Sequence, residues 1–262
     1  MLMTLIGLLS TLFTILGVSL SDCINNVWGR LGVVVAIFVL SYVVIYGLIG
    51  EIFKDSVQLS INGTNVIISY GDIFAVEGWK VIGCDTHFDT RVNDVVISKN
   101  SLHGKMMLEH GNISDILGVV EKEAIRLSLT KNENGLYDFP LGTIIRYIRK
   151  TDDKDENYLL LAMTKLDDQF KACTNMAEFE NMLMRMWTEI DRVYAGHPIV
   201  IPLLGTGISR FKDKSKNTEM LLRCLLCTLN VSGVRLNTTV KIVIYDETKR
   251  LPFYEYRYMF NV

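Results

Sequence analysis

Ile199-Val-Ile-Pro-Leu-Leu-Gly-Thr-Gly-Ile-Ser-Arg-Phe211 is the stretch on which the reading of this chain turns. It starts as a short apolar run, which reads as a buried strand. The run breaks at Gly205-Thr206-Gly207, and a helical pattern resumes after Asp213. A strand, a glycine-rich turn and a helix in that order wrap backbone N–H groups around a phosphate. Glycine suits such a turn because a side chain would hold the backbone away from the anion. Arg210 adds a positive charge and Phe211 a flat apolar face. An ordinary turn after a strand looks the same, so the stretch gains force only from matching parts elsewhere.

Working outward, Ala177–Tyr194 places Phe179, Leu183, Met186, Trp187, Ile190 and Val193 at helical spacing, a stripe that reads as core. Downstream, Asn217–Val231 reads as a helix and Thr239–Tyr245 as a last strand. Upstream, Val57–Ile61 and Val66–Ser69 flank Asn62-Gly63, the strongest short hairpin signal. Lys80–Cys84, Thr143–Arg149 and Asn157–Lys165 read as further strands. A helix is expected after Ser101–Lys105, running to about His110, and another from Ser114, as N-cap, to about Thr130. Asp152–Glu156 is a solvated charge cluster. A hairpin followed by alternating strands and helices predicts a three-layer α/β/α sandwich with a mixed sheet over residues 56–262.

The chain has 262 residues, 49% of them hydrophobic, and the apolar excess sits in the first fifty. Met1–Ser21 and Leu31–Gly50 contain no charged residue. About twenty residues of helix span roughly 30 Å, the thickness of a bilayer core. Residues 1–52 therefore read as a transmembrane hairpin, with helices at about 2–21 and 30–50. A cleaved signal peptide fits less well, because no basic segment precedes the apolar run and no small-residue cleavage site follows it. The small residues Gly7, Ser10, Thr11, Thr14 and Gly17 share one stripe of the first helix, where another helix can approach closely. Asp22 and Arg30 cancel, so the net charge of −2 belongs to residues 51–262. A slightly acidic domain argues against a nucleic-acid binder. Cys84, Cys173, Cys224 and Cys227 form no disulfide framework, which suits a cytoplasmic domain, and Cys224-x-x-Cys227 lacks the second pair a metal site needs.

Sheets of this class bind ligands at the loops beyond the carboxyl ends of their strands. Asp85–Thr90, Ser101–Lys105 and Gly205–Phe211 are polar loops after apolar strands, and Asp72 follows an earlier one. Brought together, two loops rich in backbone donors suit a diphosphate, and carboxylates suit ribose hydroxyls or an adenine amino group. Each part also has a plain structural reading: Gly71-Asp72 as a turn, His103 as a half-buried helix start, Asp89 as a local cap.

Gly71-Asp-Ile73 after a strand and Gly205-Thr-Gly-Ile208 resemble the motifs with which the macro domain family binds ADP-ribose. Phe88-Asp-Thr90, Asn100-Ser-Leu-His-Gly104, Pro140-Leu-Gly-Thr143 and Pro202–Phe211 together resemble the divergent macro domain of Thoeris anti-phage systems, which there follows two membrane helices. The resemblance covers nearly the whole chain. It implies a receptor and effector rather than an enzyme, without a cofactor, that binds an ADP-ribose derivative, histidine–ADP-ribose, made by a TIR-domain partner. Binding would then drive change or oligomerisation of the membrane helices, with membrane damage or growth arrest. It also implies an inner-membrane, multi-pass location with the macro-like domain in the cytoplasm, lipid and a second copy of the chain as partners, and no nucleic acid. By motif, Asp72 and Ile73 would hold the adenine. Ser101, Leu102, His103, Gly104 and Lys105 would form the first phosphate loop, and Leu204, Gly205, Thr206, Gly207, Ile208 and Ser209 the second. Asp85, Asp89 and Thr90 would lie near the distal ribose and its histidine-like group, walled by Arg210 and Phe211.

Two departures from the family pattern matter. Cys84-Asp85 and Ser101–Gly104 stand where catalytic macro domains have an asparagine-rich strand end and a glycine run, which counts against hydrolysis. An ADP-ribosyl hydrolase tethered to the membrane is the alternative, with His103, Asp85 or Asp89 as its base. A membrane scaffold with an idle pocket is a third.

Overall fold

Asn62 and Gly63 take left-handed φ values of 47° and 73°, and they close β1 (Ser56–Ile61) onto β2 (Thr64–Tyr70) as an antiparallel hairpin. Two such residues in succession twist the turn in the sense its strands require. In this computed structural model the described residues are 7, 26–52, 55–166, 172–207, 210–211, 217–245 and 251–260. The chain divides into two units, Met1–Lys54 and Asp55–Val262.

The first unit contains α1 (Val27–Ile52), opened by the Asn26 side chain, which accepts the Trp28 N–H at 3.1 Å. Its segment Val27–Gly47 has a mean hydropathy of 2.1 and is long and apolar enough to cross a membrane. Trp28, Phe38, Leu40 and Tyr46 point outward from it. The helix expected at 30–50 lies within α1. Apart from Gly7, the one expected at 2–21 lies outside the described residues, as does the small-residue stripe.

In the second unit the hairpin leads through a 3-10 turn at Ile73–Ala75 to β3 (Trp79–Asp85). Then come α2 (Leu102–Lys105), which runs on as a π-helical turn over Met106–His110, and α3 (Ile113–Arg126). The N-cap of α3 is Asn112 and not Ser114: the Asn112 amide oxygen accepts the Ser114 and Asp115 N–H groups at 3.0 and 3.3 Å. The chain continues with β4 (Ile144–Arg149), β5 (Glu156–Leu166), β6 (Ala172–Thr174) and α4 (Met176–Val193). It ends with β7 (Ile199–Pro202), β8 (Arg210–Phe211), α5 (Thr218–Val231), β9 (Thr239–Ile244) and α6 (Phe253–Phe260).

The strands β2, β9, β7, β3 and β5 lie side by side and parallel, with β1 and β4 antiparallel at the two edges. The short β6 pairs with the far end of β5, and β8 with β6. The sheet is therefore mixed, as expected.

Alternate strand residues face opposite layers. Val81, Leu159, Leu161, Ile199, Ile201 and Ile242 pack against α4, α5 and α6, with Trp187, Leu222 and Tyr256 buried among them. Ile82, Leu160, Ala162, Val200 and Val243 pack against Met106, Ile116 and Val120 of the α2–α3 layer. The Trp187 indole N–H donates to the Thr228 hydroxyl at 3.1 Å, tying α4 to α5 within one layer.

Those layers create the site. The excursion from β3 to β5 runs over one face and carries α2 and α3; the excursion from β7 to β9 runs over the other and carries α5. Since β3 and β7 are neighbours, their outgoing chains part to opposite sides. A crevice opens beyond their carboxyl ends, the place where open α/β sheets bind ligands.

Candidate functional site

A cavity of about 880 Å³ occupies that crevice. Its floor is the ends of β3, β5, β7 and β9, with Gly83, Met163, Pro202 and Val243 among the lining residues. Its walls are the loops that leave those strands.

The loop after β3 is folded around Asp85. This carboxylate is 6% exposed and accepts the His87 N–H at 2.8 Å and, more weakly, the Asp89 N–H at 3.3 Å. Burial raises its pKa, against the pull of the His87 hydrogen bond. His87 Nδ1 lies 3.0 Å from the Tyr137 carbonyl and 3.1 Å from an Asp138 carboxylate oxygen, which anchors the loop from outside. Asp89 turns to Arg91, accepting its backbone N–H at 2.8 Å and its Nε–H at 3.0 Å. Burial works to raise the pKa of Asp89, but the Arg91 hydrogen bonds outweigh it and hold the group below its ordinary value.

The wall opposite is built by Ser101, whose hydroxyl donates to the Ser98 carbonyl at 2.7 Å and accepts the Gly104 N–H at 3.0 Å. This brings Gly104 so close that a Cβ there would sit 2.1 Å from the Ser98 oxygen. His103, on the same turn, is 8% exposed and lines the cavity. Its burial lowers its pKa to about 4, although Asp89 pulls the other way, so the ring is neutral near pH 7. The Lys105 ammonium lies 5.5 Å from the centre of the Tyr245 ring at the cavity margin.

The third wall is the opening stretch. Leu203 N–H donates to the Val243 carbonyl at 3.0 Å, and the Thr206 hydroxyl donates to the Leu203 carbonyl at 2.8 Å, which folds the turn back on itself. Gly205 takes φ 83°, in the left-handed region that favours glycine. Gly207 is exposed, and a Cβ built on it meets nothing within 4 Å. At the fourth side the Asp72 carboxylate accepts the Phe74 N–H at 3.0 Å and caps the 3-10 turn, with Ile73 buried beside it.

Of the residues singled out in the sequence, Asp72, Ile73, Asp85, Ser101, Leu102, His103, Lys105, Leu204, Gly205, Thr206 and Gly207 line this one cavity. Asp89, Thr90 and Gly104 do not: Asp89 is tied to Arg91, and Gly104 packs on the Ser98 backbone. Ile208 and Ser209 lie outside the described residues. Arg210 and Phe211 form β8, paired with Cys173 and Thr174. Sequence reasoning missed the wall from Asp94 to Ser98, the floor residues Met163, Thr164 and Leu166, and Asn217, Thr218 and Tyr245.

Among the described lining residues the ionisable carboxylates are Asp72, Asp85 and Asp94, and the one cation is Lys105. An anionic group entering here meets little positive charge among those residues. The carboxylates suit hydroxyls, an amino group or a cation on the same ligand.

The Oceanobacillus iheyensis macrodomain with ADP superposes on this chain with a TM-score of 0.50 at 15% identity, covering 79% of this chain and 97% of its own. A glycine-to-valine mutant of that macrodomain with ADPR gives 0.52 at 13% identity, covering 79% and 100%. At such identities the likeness concerns the fold: the α/β sandwich is a macro-domain fold. Sequence goes further. The Thoeris protein ThsA of Bacillus amyloliquefaciens (strain Y2) is 30% identical over 218 residues, covering 81% of this chain and 73% of its own. The model of the Thoeris protein ThsA macro domain matches residues 66–245, from the second strand of the hairpin to the tyrosine at the cavity margin, and the chain belongs to that family.

Proposed function

We propose that this chain is the nucleotide receptor of an anti-phage defence system. Its cavity takes an ADP-ribose derivative, histidine–ADP-ribose, made by a TIR-domain partner, and its N-terminal helices answer in the inner membrane. Membership of the Thoeris family supports the defence role and an ADP-ribose-type ligand. One observation carries the reading of the site: the Leu203–Gly207 turn and the Ser101–Lys105 wall share one cavity with Asp72 and Asp85. The two donor-bearing walls hold the diphosphate. Asp72 takes the adenine amino group, and Asp85 takes the cationic end of the ligand. A group with that charge would favour the ionised carboxylate that burial disfavours.

The protein acts by binding, without turnover. Asp85 and Asp89 already accept hydrogen bonds from their own loop, and neither is set up as a free general base. Ligand seating changes the state or order of the oligomer because the ligand prefers one arrangement of the receptor. Multi-pass anchoring and a cytoplasmic nucleotide domain belong to the same proposal; α1, long and apolar enough to cross a membrane, supports one span of it.

The test is calorimetric titration of the full-length protein in detergent micelles with histidine–ADP-ribose, ADP-ribose and NAD. Tight binding of the conjugate, lost in Gly207→Glu, is expected. The open space at Gly207 lets the fold accept that side chain while it blocks the turn. Equal affinity for ADP-ribose and the conjugate would remove Asp85 from the account, and release of free ADP-ribose would favour the hydrolase.

A further inference from the structure

His103 is a buried imidazole in a cavity wall. It is 8% exposed, and among the described residues its side chain has no hydrogen-bond or ion-pair partner. Its neighbour Ser101 already caps the turn, so the ring is not needed there. Its ring nitrogens are not among the sealed polar atoms that lack a partner, so they open onto the cavity and are free to meet a ligand. Across the same cavity lies the Leu203–Gly207 turn.

The charges around the ring are largely committed. From the loop after β3 come Asp85, bonded to the His87 and Asp89 N–H groups, and Asp89, bonded to Arg91. From the segment that α2 packs on come Asp94 and its ion-pair partner Lys99, 3.3 Å apart. From its own helix comes Lys105, over Tyr245, and across the cavity stands Asp72, capping its turn. Among the described lining residues three carboxylates stand against one lysine, so these offer a diphosphate little counter-charge.

We propose that His103 supplies counter-charge: as the diphosphate enters, the imidazole takes up one proton and donates a charge-assisted hydrogen bond to a phosphate oxygen. The inference rests on the nucleotide reading of the cavity and deepens it. The proton comes from solvent buffer, and no covalent bond is made or broken. Burial of the neutral ring and its low proton affinity when the site is empty fit this role. Two negative charges at hydrogen-bond range reverse that balance. Binding and protonation are then linked, so lower pH favours the complex.

The probe is ADP-ribose, whose diphosphate is a diester already fully ionised across the range tested, so proton exchange reports the protein. Full-length protein in detergent is titrated at pH 6 in buffers of different ionisation enthalpy. The expected result is uptake of about one proton per ligand, and a Kd that tightens by up to about tenfold per pH unit between pH 7 and pH 5. Uptake should vanish in His103→Gln and His103→Asn, leaving a Kd that no longer follows pH. The wild-type proton count needs no variant, so a misfolded substitution does not spoil the test. Binding without proton uptake would overturn the role of His103 and leave the nucleotide site standing. Uptake that survives His103→Gln but disappears in Asp85→Asn would move the proton to Asp85 and overturn it likewise. No binding of ADP-ribose or its histidine conjugate at any pH would sink the nucleotide site itself and this inference with it.

Discussion

At the scale of single residues, the cavity is lined by side chains whose proton affinity burial has changed. His103 binds a proton less readily in the folded chain, at about 4, than the ~6.5 of an exposed histidine. Below roughly pH 6.5 the unfolded chain therefore takes a proton that the folded chain refuses, and stability falls as pH drops from 6.5 to about 4. The loss is on the order of 2–3 kcal/mol. Asp85 acts in the opposite sense. Its pKa is raised by burial, so its contribution is largest at low pH and is lost as pH rises through the folded value. Chemical denaturation of wild type and His103→Gln between pH 4 and pH 7 separates the two. The acid decline should flatten in the variant, and parallel curves would contradict the burial argument. That these residues sit in one site was partly legible in the sequence. The glycine turn and the Ser101–Lys105 loop announce themselves by composition. By contrast, Met163 and Leu166 belong to an apolar strand whose period does not say which residues face a hole. Asp89 looked equivalent to Asp85, four residues earlier. Arg91 claims it, a pairing that only folded geometry reveals.

At the scale of elements, the two faces of the sheet are built differently. The α4–α5 layer is sealed by large apolar side chains, with a buried hydrogen bond from Trp187 to Thr228 between the helices. Trp187→Phe keeps most of the apolar volume but leaves Thr228 without that donor. A loss of about 1–2 kcal/mol in unfolding free energy is expected by urea titration, with little change in nucleotide affinity, because neither residue lines the cavity. A change in affinity beyond the change in stability would show that this layer feeds into the site. Elements of this kind are the most legible part of the chain. Phe179 to Val193 repeats at helical spacing and forms α4, and Asn62-Gly63 sits between two alternating runs and makes the turn. The start of α3 was not legible to the residue. Asn112 and Ser114 are both good caps, and the choice falls to Asn112, whose N–H donates to the Tyr147 hydroxyl at 2.9 Å. The stretch from Asn93 to Ser98 has no period at all. It is held by the Asn93 and Asp94 side chains, which accept N–H groups further along, and so becomes a cavity wall without being a strand.

At the scale of the whole molecule, the division after Lys54 separates an apolar helix from a unit with its own two-sided core. Residues 55–262 expressed alone should unfold in a single cooperative step and stay in the soluble fraction, while the full chain partitions with membranes; fractionation and thermal melts check both. Failure of the fragment to fold would mean that the N-terminal unit contributes to stability. Within that larger unit the order of strands in the sheet differs from their order in the chain. β9, the last strand to be synthesised, inserts between β2 and β7, with Ile242 opposite Ile68 on one side and Ile201 on the other. Until residue 244 has left the ribosome, β2 lacks its parallel partner, and Val243 and Tyr245 are missing from the pocket. On the proposed reading, a chain truncated before β9 should therefore fail to bind the nucleotide, which titration of such a fragment checks. Ligand sensing would then wait on the strand that is made last.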